Sequence, residues 1–248
     1  IVLQDADIDL AVSECISGSL SFNGQRCTAL KVIFVHENIV EEFNKRFVAK
    51  LETLKIGMPW QEGVMITPLP EQDKPNYINE LIVDAEKFGA KIINTDGGKT
   101  LESFVYPAVL YPVNDKMKVY HEEQFGPVVP IISFKDVSEP IQYMVDSNFG
   151  QQVSVFGTDS TQLAHLIDPL VNQVCRVNIN CQCQRSPDVF PFNGRKDSAE
   201  GTLSVFDALR VFSIRTMVAI KDVELNKKIV TEILEERKSK FLSTDYIL

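Results

Sequence analysis

The sequence predicts an α/β fold in which a mostly parallel sheet is flanked by helices, and two observations lead to that prediction. Runs rich in β-branched residues alternate with amphipathic segments of about 10–15 residues, an order typical of parallel sheets. Val128 to Phe134 is a nearly continuous apolar run, as expected for a strand that is covered on both faces. The chain has 248 residues, of which 44% are hydrophobic, so it can hold a sizeable core in one domain or at most two.

Helices are predicted where apolar stripes meet residues typical of helix ends. Asp7 and Asp9 precede one such stripe and suit the positive end of a helix dipole, and Cys15 falls on the buried face of that helix. Pro75 is favoured in a first helical turn, and Gly89 closes the same helix. We expect helices at residues 7–20, 39–54, 75–88, 139–146 and 160–170.

Strands are predicted from β-branched and apolar runs bounded by turn residues. We expect them at residues 32–35, 92–93, 106–110, 128–134, 153–156 and 176–180. Residues 212–221 are also β-prone, and Asp222 is placed to cap a last helix with Leu225, Ile229 and Ile233 facing inward. The chain is therefore divided into a main domain at 1–210, a separate strand at 211–221 and a helical tail at 222–248.

Charge and cysteine usage exclude several classes of protein. The net charge of −9 makes nucleic acid an unsuitable partner for the domain as a whole. No apolar run approaches the length of a membrane span, and the N-terminus has no basic segment of a signal peptide. Five scattered cysteines indicate a reducing, cytoplasmic compartment. Cys181 and Cys183 have no second pair and no nearby histidine, so we expect no metal site.

The stretch from Ser21 to Lys31 contains the best candidate for a reactive side chain. Gly24 permits a tight turn, and Cys27 follows it where a loop enters a buried strand. The guanidinium of Arg26 would favour the thiolate, which is the nucleophilic form of cysteine. A small buried cysteine with a packing role is the alternative, and these residues alone do not decide between the two.

Three motifs together resemble the aldehyde dehydrogenase superfamily. They are Gly-Gln-Arg-Cys-Thr-Ala at 24–29, Glu-Glu-Gln-Phe-Gly-Pro at 122–127 and Pro-Phe-Asn-Gly-Arg-Lys-Asp-Ser at 191–198, in the order of that family. The likeness is greatest to its NADP-dependent non-phosphorylating glyceraldehyde-3-phosphate dehydrogenase branch and runs from Ile1 to about Lys221. It implies that 1–210 is the catalytic domain and that a Rossmann domain would precede residue 1, where the sequence also lacks an initiator Met.

The resemblance assigns roles to residues in the first two motifs. Cys27 would be the nucleophile, with its own backbone N–H as one donor to the oxyanion. Glu123 would bind the ribose hydroxyls next to the nicotinamide, and Phe125 would lie behind the ring. The cofactor would be NADP, with NAD possible, because the part that distinguishes the two lies in the other half of such enzymes. Without the resemblance, a solvated turn before a strand is the favoured interpretation of Glu122 and Glu123.

The resemblance also implies a substrate. Arg26 and Arg185 match positions that bind the substrate phosphate, and planar guanidinium groups suit phosphate. We expect oxidation of glyceraldehyde 3-phosphate to 3-phosphoglycerate. The alternative for Arg185 is a charge on a loop surface. The residues Arg195 to Asp197 are interpreted as a surface turn without a catalytic role.

Two parts of the family's machinery do not occur in this sequence. The Glu-Leu-Gly-Gly motif of the general base is absent, and so is the asparagine that completes the oxyanion site. We therefore expect no turnover by this chain alone. The strand at 211–221 matches an arm that joins the sheet of a neighbouring subunit, which implies a homo-oligomer. Two other functions stay open: an aldehyde dehydrogenase for another aldehyde, and a non-catalytic binding or assembly module.

Overall fold

The computed structural model describes residues 1–242, which form two compact units. One unit comprises Ile1–Ser186 with Phe192–Gly201, and the other comprises Pro187–Pro191 with the residues from Thr202 onward. The helices are α1 (Ile8–Leu20), α2 (Val40–Leu51), α3 (Lys74–Lys87), α4 (Lys118–His121), α5 (Ser138–Asp146), α6 (Ser160–Leu170), α7 (Val205–Val211) and α8 (Glu224–Glu235). The strands are β1 (Ile33–His36), β2 (Lys55–Ile56), β3 (Val64–Ile66), β4 (Lys91–Ile92), β5 (Thr100–Leu101), β6 (Phe104–Val105), β7 (Ala108–Tyr111), β8 (Val128–Phe134), β9 (Phe149–Gly150), β10 (Gln152–Val155), β11 (Arg176–Ile179) and β12 (Arg195–Lys196).

The first unit is organised around a sheet with strand order β1-β8-β7-β4. Strands β1, β7 and β8 are parallel, and β4 is antiparallel to β7. A second parallel pair, β10 with β11, is connected to this sheet through Val2, which bridges Val35 on one side and Phe156 on the other. The prediction of a mostly parallel sheet is therefore confirmed.

Helices cover both faces of this sheet. Along β1, Ile33 and Val35 pack with the apolar residues of α1 and α2, whereas Phe34 packs with those of α3, α5 and α6. This alternation follows from the two-residue period of a strand. Each of these five helices lies within a few residues of its prediction. Cys15 is buried on α1 with 1% of its surface exposed, as expected.

The sequence did not predict three short strand pairs, which are β2 with β3, β5 with β6, and β9 with β12. Their strands have two or three residues and lie in segments rich in turn residues, so no period-two pattern is visible. Arg195 and Lys196 were expected in a surface turn. They form β12 instead, and the Lys196 ammonium donates to the carbonyl oxygens of Met144 and Ser147 at the end of α5, at 2.6 and 2.8 Å.

The second unit contains α7 and α8, and several expectations for it are corrected. Residues 213–221 form no strand within the described chain, so pairing of this segment across chains stays a prediction. Asp222 does not cap α8, because that helix has no side-chain cap and Asp222 pairs with Lys227 at 2.8 Å. Leu225 and Ile229 are exposed and Ile233 is only half-buried, so they do not face a core. Residues 243–248 of the predicted tail lie outside the described residues.

Among the helices of residues 1–242, none is long and apolar enough to cross a membrane.

Candidate active site

A short 3-10 turn at Ser21–Gly24 follows α1 and sets the position of the cysteine loop. Asn23 is buried, donates to the Thr67 hydroxyl and accepts from the Thr67 amide, both at 2.9 Å. Gly24 has φ +72°, and a Cβ built there would lie 2.6 Å from the carbonyl oxygen of Gly126. Only glycine suits both conditions. The first motif therefore lies directly against the backbone of the second.

Cys27 is exposed after this turn. The loop around it is held by two backbone hydrogen bonds, from Ala29 N–H to the Arg26 carbonyl and from Leu30 N–H to the Gly18 carbonyl, both at 3.0 Å. Within residues 1–242 the Cys27 N–H itself donates to no acceptor. An unpaired N–H beside an exposed thiol is the arrangement needed to hold an oxyanion that forms on a carbonyl attacked by that thiol.

The cleft beside Cys27 has a volume of about 130 Å³ and is lined by residues from all three motifs. They include Cys27 from the first, Glu123 from the second and Ser198 from the third. The Ser198 hydroxyl also accepts from the Gly150 amide at 3.2 Å, which fixes β9 in the wall. Apolar and aromatic side chains complete the lining, among them Leu30, Val32, Tyr143, Met144 and Phe149. Residues far apart in sequence thus form one site.

The five cysteines differ sharply in their surroundings. Cys15 and Cys183 are buried behind the same cleft, and burial raises the pKa of the Cys15 thiol to about 12. Burial also raises the pKa of Cys183, although its contact with the Ser154 hydroxyl at 3.3 Å opposes that shift. Both thiols therefore stay protonated near neutral pH. Cys27 is the thiol of this cleft that solvent reaches.

Glu123 lies at the mouth of the cleft, and its residue surface is exposed. Protein atoms nevertheless crowd the carboxyl group and raise its pKa, while Lys31 and Lys74 oppose the rise. Glu123 forms no hydrogen bond or ion pair with another described residue, so its carboxylate oxygens are available to a ligand. Phe125 has φ +44° and lines a small adjoining cleft together with Glu123 and Gly24.

Arg26 is largely occupied with its own protein. Its guanidinium donates to the Gly18 carbonyl at 3.1 Å, to the Gln182 side chain at 3.0 Å and to the Thr28 hydroxyl at 2.9 Å. It lines the small adjoining cleft rather than the cleft of Cys27. Its Nε is buried and has no hydrogen-bond partner among the described residues.

Arg185 lies away from the lining of the Cys27 cleft in the part of the chain that the structure describes. It is exposed, and its guanidinium carbon lies 5.5 Å from the centre of the Phe192 ring. The structure therefore brings Cys27 and Glu123 together in one cleft, places Glu123, Phe125 and Arg26 in the adjoining cleft, and leaves Arg185 outside both linings. Glu14 does not line the Cys27 cleft, and its carboxylate accepts from the Gln182 amide at 2.7 Å.

Lys31 is the residue of this site that sequence reasoning missed. It lines the Cys27 cleft and the small adjoining cleft, as Glu123 does. Burial lowers its pKa to about 8, and Glu123 and Glu122 oppose that shift. The sequence pattern that could have identified Lys31 is a charged residue directly before a buried β-branched run. Lysine is seldom buried without a partner, so such a position indicates a specific contact.

Comparisons with known proteins decide the family. A model described as the aldehyde dehydrogenase family matches residues 1–218. The chain belongs to the aldehyde dehydrogenase family. It is 37% identical over 226 residues to an NADP-dependent glyceraldehyde-3-phosphate dehydrogenase of Arabidopsis thaliana, and 31% identical over 220 residues to a sulfoacetaldehyde dehydrogenase of Neptuniibacter caesariensis. These matches cover 91% and 89% of this chain but only 44% and 47% of the relatives.

A solved aldehyde dehydrogenase structure gives the same result. The NADP-dependent glyceraldehyde-3-phosphate dehydrogenase of Bacillus halodurans C-125, in complex with NADP, superimposes with a TM-score of 0.78 at 36% identity. The match covers 82% of this chain and 42% of that structure. The chain thus spans less than half the length of the aldehyde dehydrogenases that it matches, and it has the fold of the corresponding part.

Proposed function

We propose that this chain supplies the nucleophile and the nicotinamide-side carboxylate for NADP-dependent oxidation of an aldehyde. The observation that carries the proposal is the convergence of Cys27, Glu123 and Ser198 on one cleft. The three residues come from three separate motifs, and a packing role for Cys27 does not suit its exposure. Relatives that are named for NADP-dependent glyceraldehyde-3-phosphate oxidation support the choice of reaction.

In this reaction the Cys27 thiolate attacks the carbonyl carbon, and the carbonyl oxygen becomes an oxyanion. The free Cys27 N–H lies next to the sulfur that attacks and would donate to that oxyanion. Loss of hydride from the resulting thiohemiacetal gives a thioester on Cys27. Water then cleaves the thioester to a carboxylate and restores the thiol. The apolar wall of the cleft would limit the access of water before that step.

The residues at the mouth of the cleft suit NADP as the hydride acceptor. The unpaired carboxylate oxygens of Glu123 can accept from both hydroxyls of a ribose, and Phe125 presents an aromatic ring beside them. When bound, NADP accepts the hydride and so makes the oxidation possible. NAD presents the same ribose to Glu123, so the preference for NADP rests on the named relatives.

The proposed substrate is a small aldehyde with an anionic group, glyceraldehyde 3-phosphate first among them. Arg26 and Arg185 would bind the phosphate, although in the structure Arg26 has to exchange at least one protein acceptor for it. The sulfoacetaldehyde dehydrogenase relative is named for another anionic aldehyde. Kinetics of Arg26→Ala and Arg185→Ala with phosphorylated and uncharged aldehydes separate the substrates. Phosphate binding predicts a raised KM for the phosphorylated aldehyde alone.

The first test of the function uses the thiols of the chain itself. Brief iodoacetamide treatment followed by peptide mapping should label Cys27 about tenfold faster than Cys175, which is also exposed but lies outside the cleft. Exposure alone predicts similar rates for the two. Equal labelling of Cys27 and Cys175 would therefore contradict a reactive role for Cys27.

The second test measures turnover. The protein as its cells produce it should reduce NADP with glyceraldehyde 3-phosphate, and Cys27→Ser should abolish the reaction. The 248-residue chain alone should not turn over, because Glu-Leu-Gly-Gly and the oxyanion asparagine do not occur in it. Steady Cys27-dependent turnover by the chain alone would show that the base lies within these residues. A protein that oxidises no aldehyde would favour the non-catalytic module.

We also propose that residues 212–221 pair with a second copy of the protein. Their apolar side chains are exposed, with Ile214 at 95% and Met217 at 84%. Exposed β-prone segments of this kind pair readily with another edge. Light scattering should show an oligomer that becomes monomeric when Ile214→Lys is introduced. A wild-type monomer at micromolar concentration would contradict the pairing.

A further inference from the structure

The side chain of Lys31 connects the cysteine loop to the backbone just before Glu123. Its ammonium donates to the Tyr120 carbonyl at 2.7 Å and to the Tyr143 hydroxyl at 2.9 Å. The Tyr143 hydroxyl in turn donates to the same Tyr120 carbonyl at 3.3 Å. The ammonium also lies 5.5 and 5.6 Å from the centres of the Tyr143 and Phe149 rings, within the range of cation–π attraction.

The backbone of Lys31 connects the same loop to the residue just after Glu123. Gln124 is buried, and its side-chain amide donates to the Lys31 carbonyl and to the Val128 carbonyl, both at 2.9 Å. Lys31 therefore holds the acidic segment on both sides of Glu123. Glu123 itself has no partner among the described residues, so its position depends on these flanking contacts.

The Lys31 ammonium also lies near the Glu123 carboxylate. Lys31 and Glu123 line the same two clefts, and their charges attract each other without forming an ion pair. Glu122 is a second carboxylate near Lys31, and Lys74 is a second cation near Glu123. Tyr120 and Tyr143 complete the ionisable groups that pack on the ammonium, and burial raises the pKa of both.

We infer that Lys31 is a positioning residue for Glu123. Through its contacts with Tyr120 and Gln124, Lys31 holds the cofactor-binding carboxylate of Glu123 in register with the thiol loop. This inference deepens the proposed function and rests on it for the role of Glu123. Three residues separate Lys31 from Cys27 on one continuous segment. The nucleophile and the carboxylate would thus keep a fixed separation whenever Lys31 is in place.

Deprotonation of Lys31 should strengthen this arrangement, because burial disfavours the charged ammonium and lowers its pKa, and the neutral amine still donates to the Tyr120 carbonyl. Burial places the pKa of Lys31 at about 8, so the change should occur between pH 7 and pH 9.5. The groups of this cluster whose pKa is raised, Tyr120 and Tyr143, remain protonated in that range. An arginine at position 31 would stay charged throughout it.

Hydrogen exchange of the chain provides a test that needs no cofactor. Lys31→Met should raise the exchange of amides in residues 118–126 about tenfold at pH 7, whereas α6 should be unchanged. Lys31→Arg should restore protection. In the wild type, exchange of residues 118–126 corrected for its intrinsic pH dependence should fall about fivefold from pH 7 to pH 9.5, and Lys31→Arg should abolish that fall.

Tyr143→Phe is the variant to use if Lys31→Met does not fold, since it removes one hydroxyl and keeps the ring. It should give a smaller increase in exchange of residues 118–126, about threefold at pH 7. A flat wild-type pH profile, or a fall with pH that persists in Lys31→Arg, would overturn the assignment of Lys31. Unchanged exchange in both Lys31→Met and Tyr143→Phe would do the same.

Cofactor affinity provides the second readout, measured by calorimetry on the protein as its cells produce it. Lys31→Met should weaken NADP binding about tenfold and leave the alkylation rate of Cys27 within about twofold. Lys31→Arg should bind NADP like the wild type at pH 7. A wild type that binds no NADP would refute the proposed function, and hydrogen exchange would still decide whether Lys31 positions residues 118–126.

Discussion

The two compact units of this chain use their apolar residues in opposite ways. In the first unit, Phe43 and Phe47 of α2 are fully buried against β1 and β8, with 0% of their surface exposed. In the second, Phe212 is 91% exposed, and neither α7 nor α8 buries a residue as far as residue 242. Both units have amphipathic helices, so the pattern alone does not bury a side chain. Burial requires a second surface to pack against, which in the first unit is the sheet.

The largest expected effect concerns the core of the first unit. Phe43→Ala should lower the free energy of unfolding by about 3–5 kcal/mol, because it leaves a cavity between α2 and the sheet. Phe212→Ala is the matched change in the second unit and should alter the free energy of unfolding by less than about 0.5 kcal/mol. Urea unfolding measures both. A large loss for Phe212→Ala would show that the second unit contributes to the cooperative core.

Gly24→Ala should lower the free energy of unfolding by about 3 kcal/mol and slow the alkylation of Cys27. The new Cβ would add the strain of a left-handed residue to a 2.6 Å approach to the Gly126 carbonyl, which cannot move like a side chain. Gly63→Ala is the control, because Gly63 has φ +73° with nothing within 4 Å of an added Cβ. It should cost about 1 kcal/mol, from strain alone. Equal losses would show that the approach of the two motifs is not tight.

Alkaline pH should destabilise the first unit through its buried thiols. The pKa of Cys15 is about 12 in the folded chain against 9.0 for a free thiol. The contribution of the buried thiol to the free energy of unfolding is therefore complete below pH 9 and is lost as pH rises toward 12. At pH 10.5 the loss should be about 2 kcal/mol. Lys31 has the opposite effect on stability. Because burial lowers its pKa, the folded chain should become more stable as pH rises above 8.

Comparison of the wild type with Cys15→Ala isolates the thiol. The difference in unfolding free energy between the two should shrink as pH rises from 8.5 to 10.5. A difference that stays constant over this range would show that Cys15 does not titrate as a buried group.

The smallest effect compares two aspartates at helix starts. Asp159 caps α6, since its carboxylate accepts from the Thr161 amide at 2.8 Å and from the Gln162 amide at 3.3 Å. Asp159→Ala should therefore cost about 1 kcal/mol. Asp222→Ala should change stability by less than about 0.5 kcal/mol, because Asp222 forms only an exposed ion pair. Thermal melts would detect the difference, and similar losses would indicate that Asp222 caps α8 in solution.

The sequence by itself determined most of the first unit. The apolar run of β8, the stripes of α1, α2 and α3 and the α/β order follow from local residue choice, because a strand and a helix have different periods. The sequence also identified Cys27 and the acidic motif as candidates. The very short strands escaped prediction, since two or three residues do not establish a period.

Tertiary structure decided which candidate residues meet. It placed Glu123 and Ser198 in the cleft of Cys27, directed Arg26 to the carbonyl at the end of α1, and put Lys31 at the centre of the site. It also left residues 213–221 without a strand partner in the described chain, although their sequence is β-prone. The physical reason is the same in each case. Side-chain contacts, burial and strand pairing depend on neighbours that are distant in sequence, and local pattern carries no information about them.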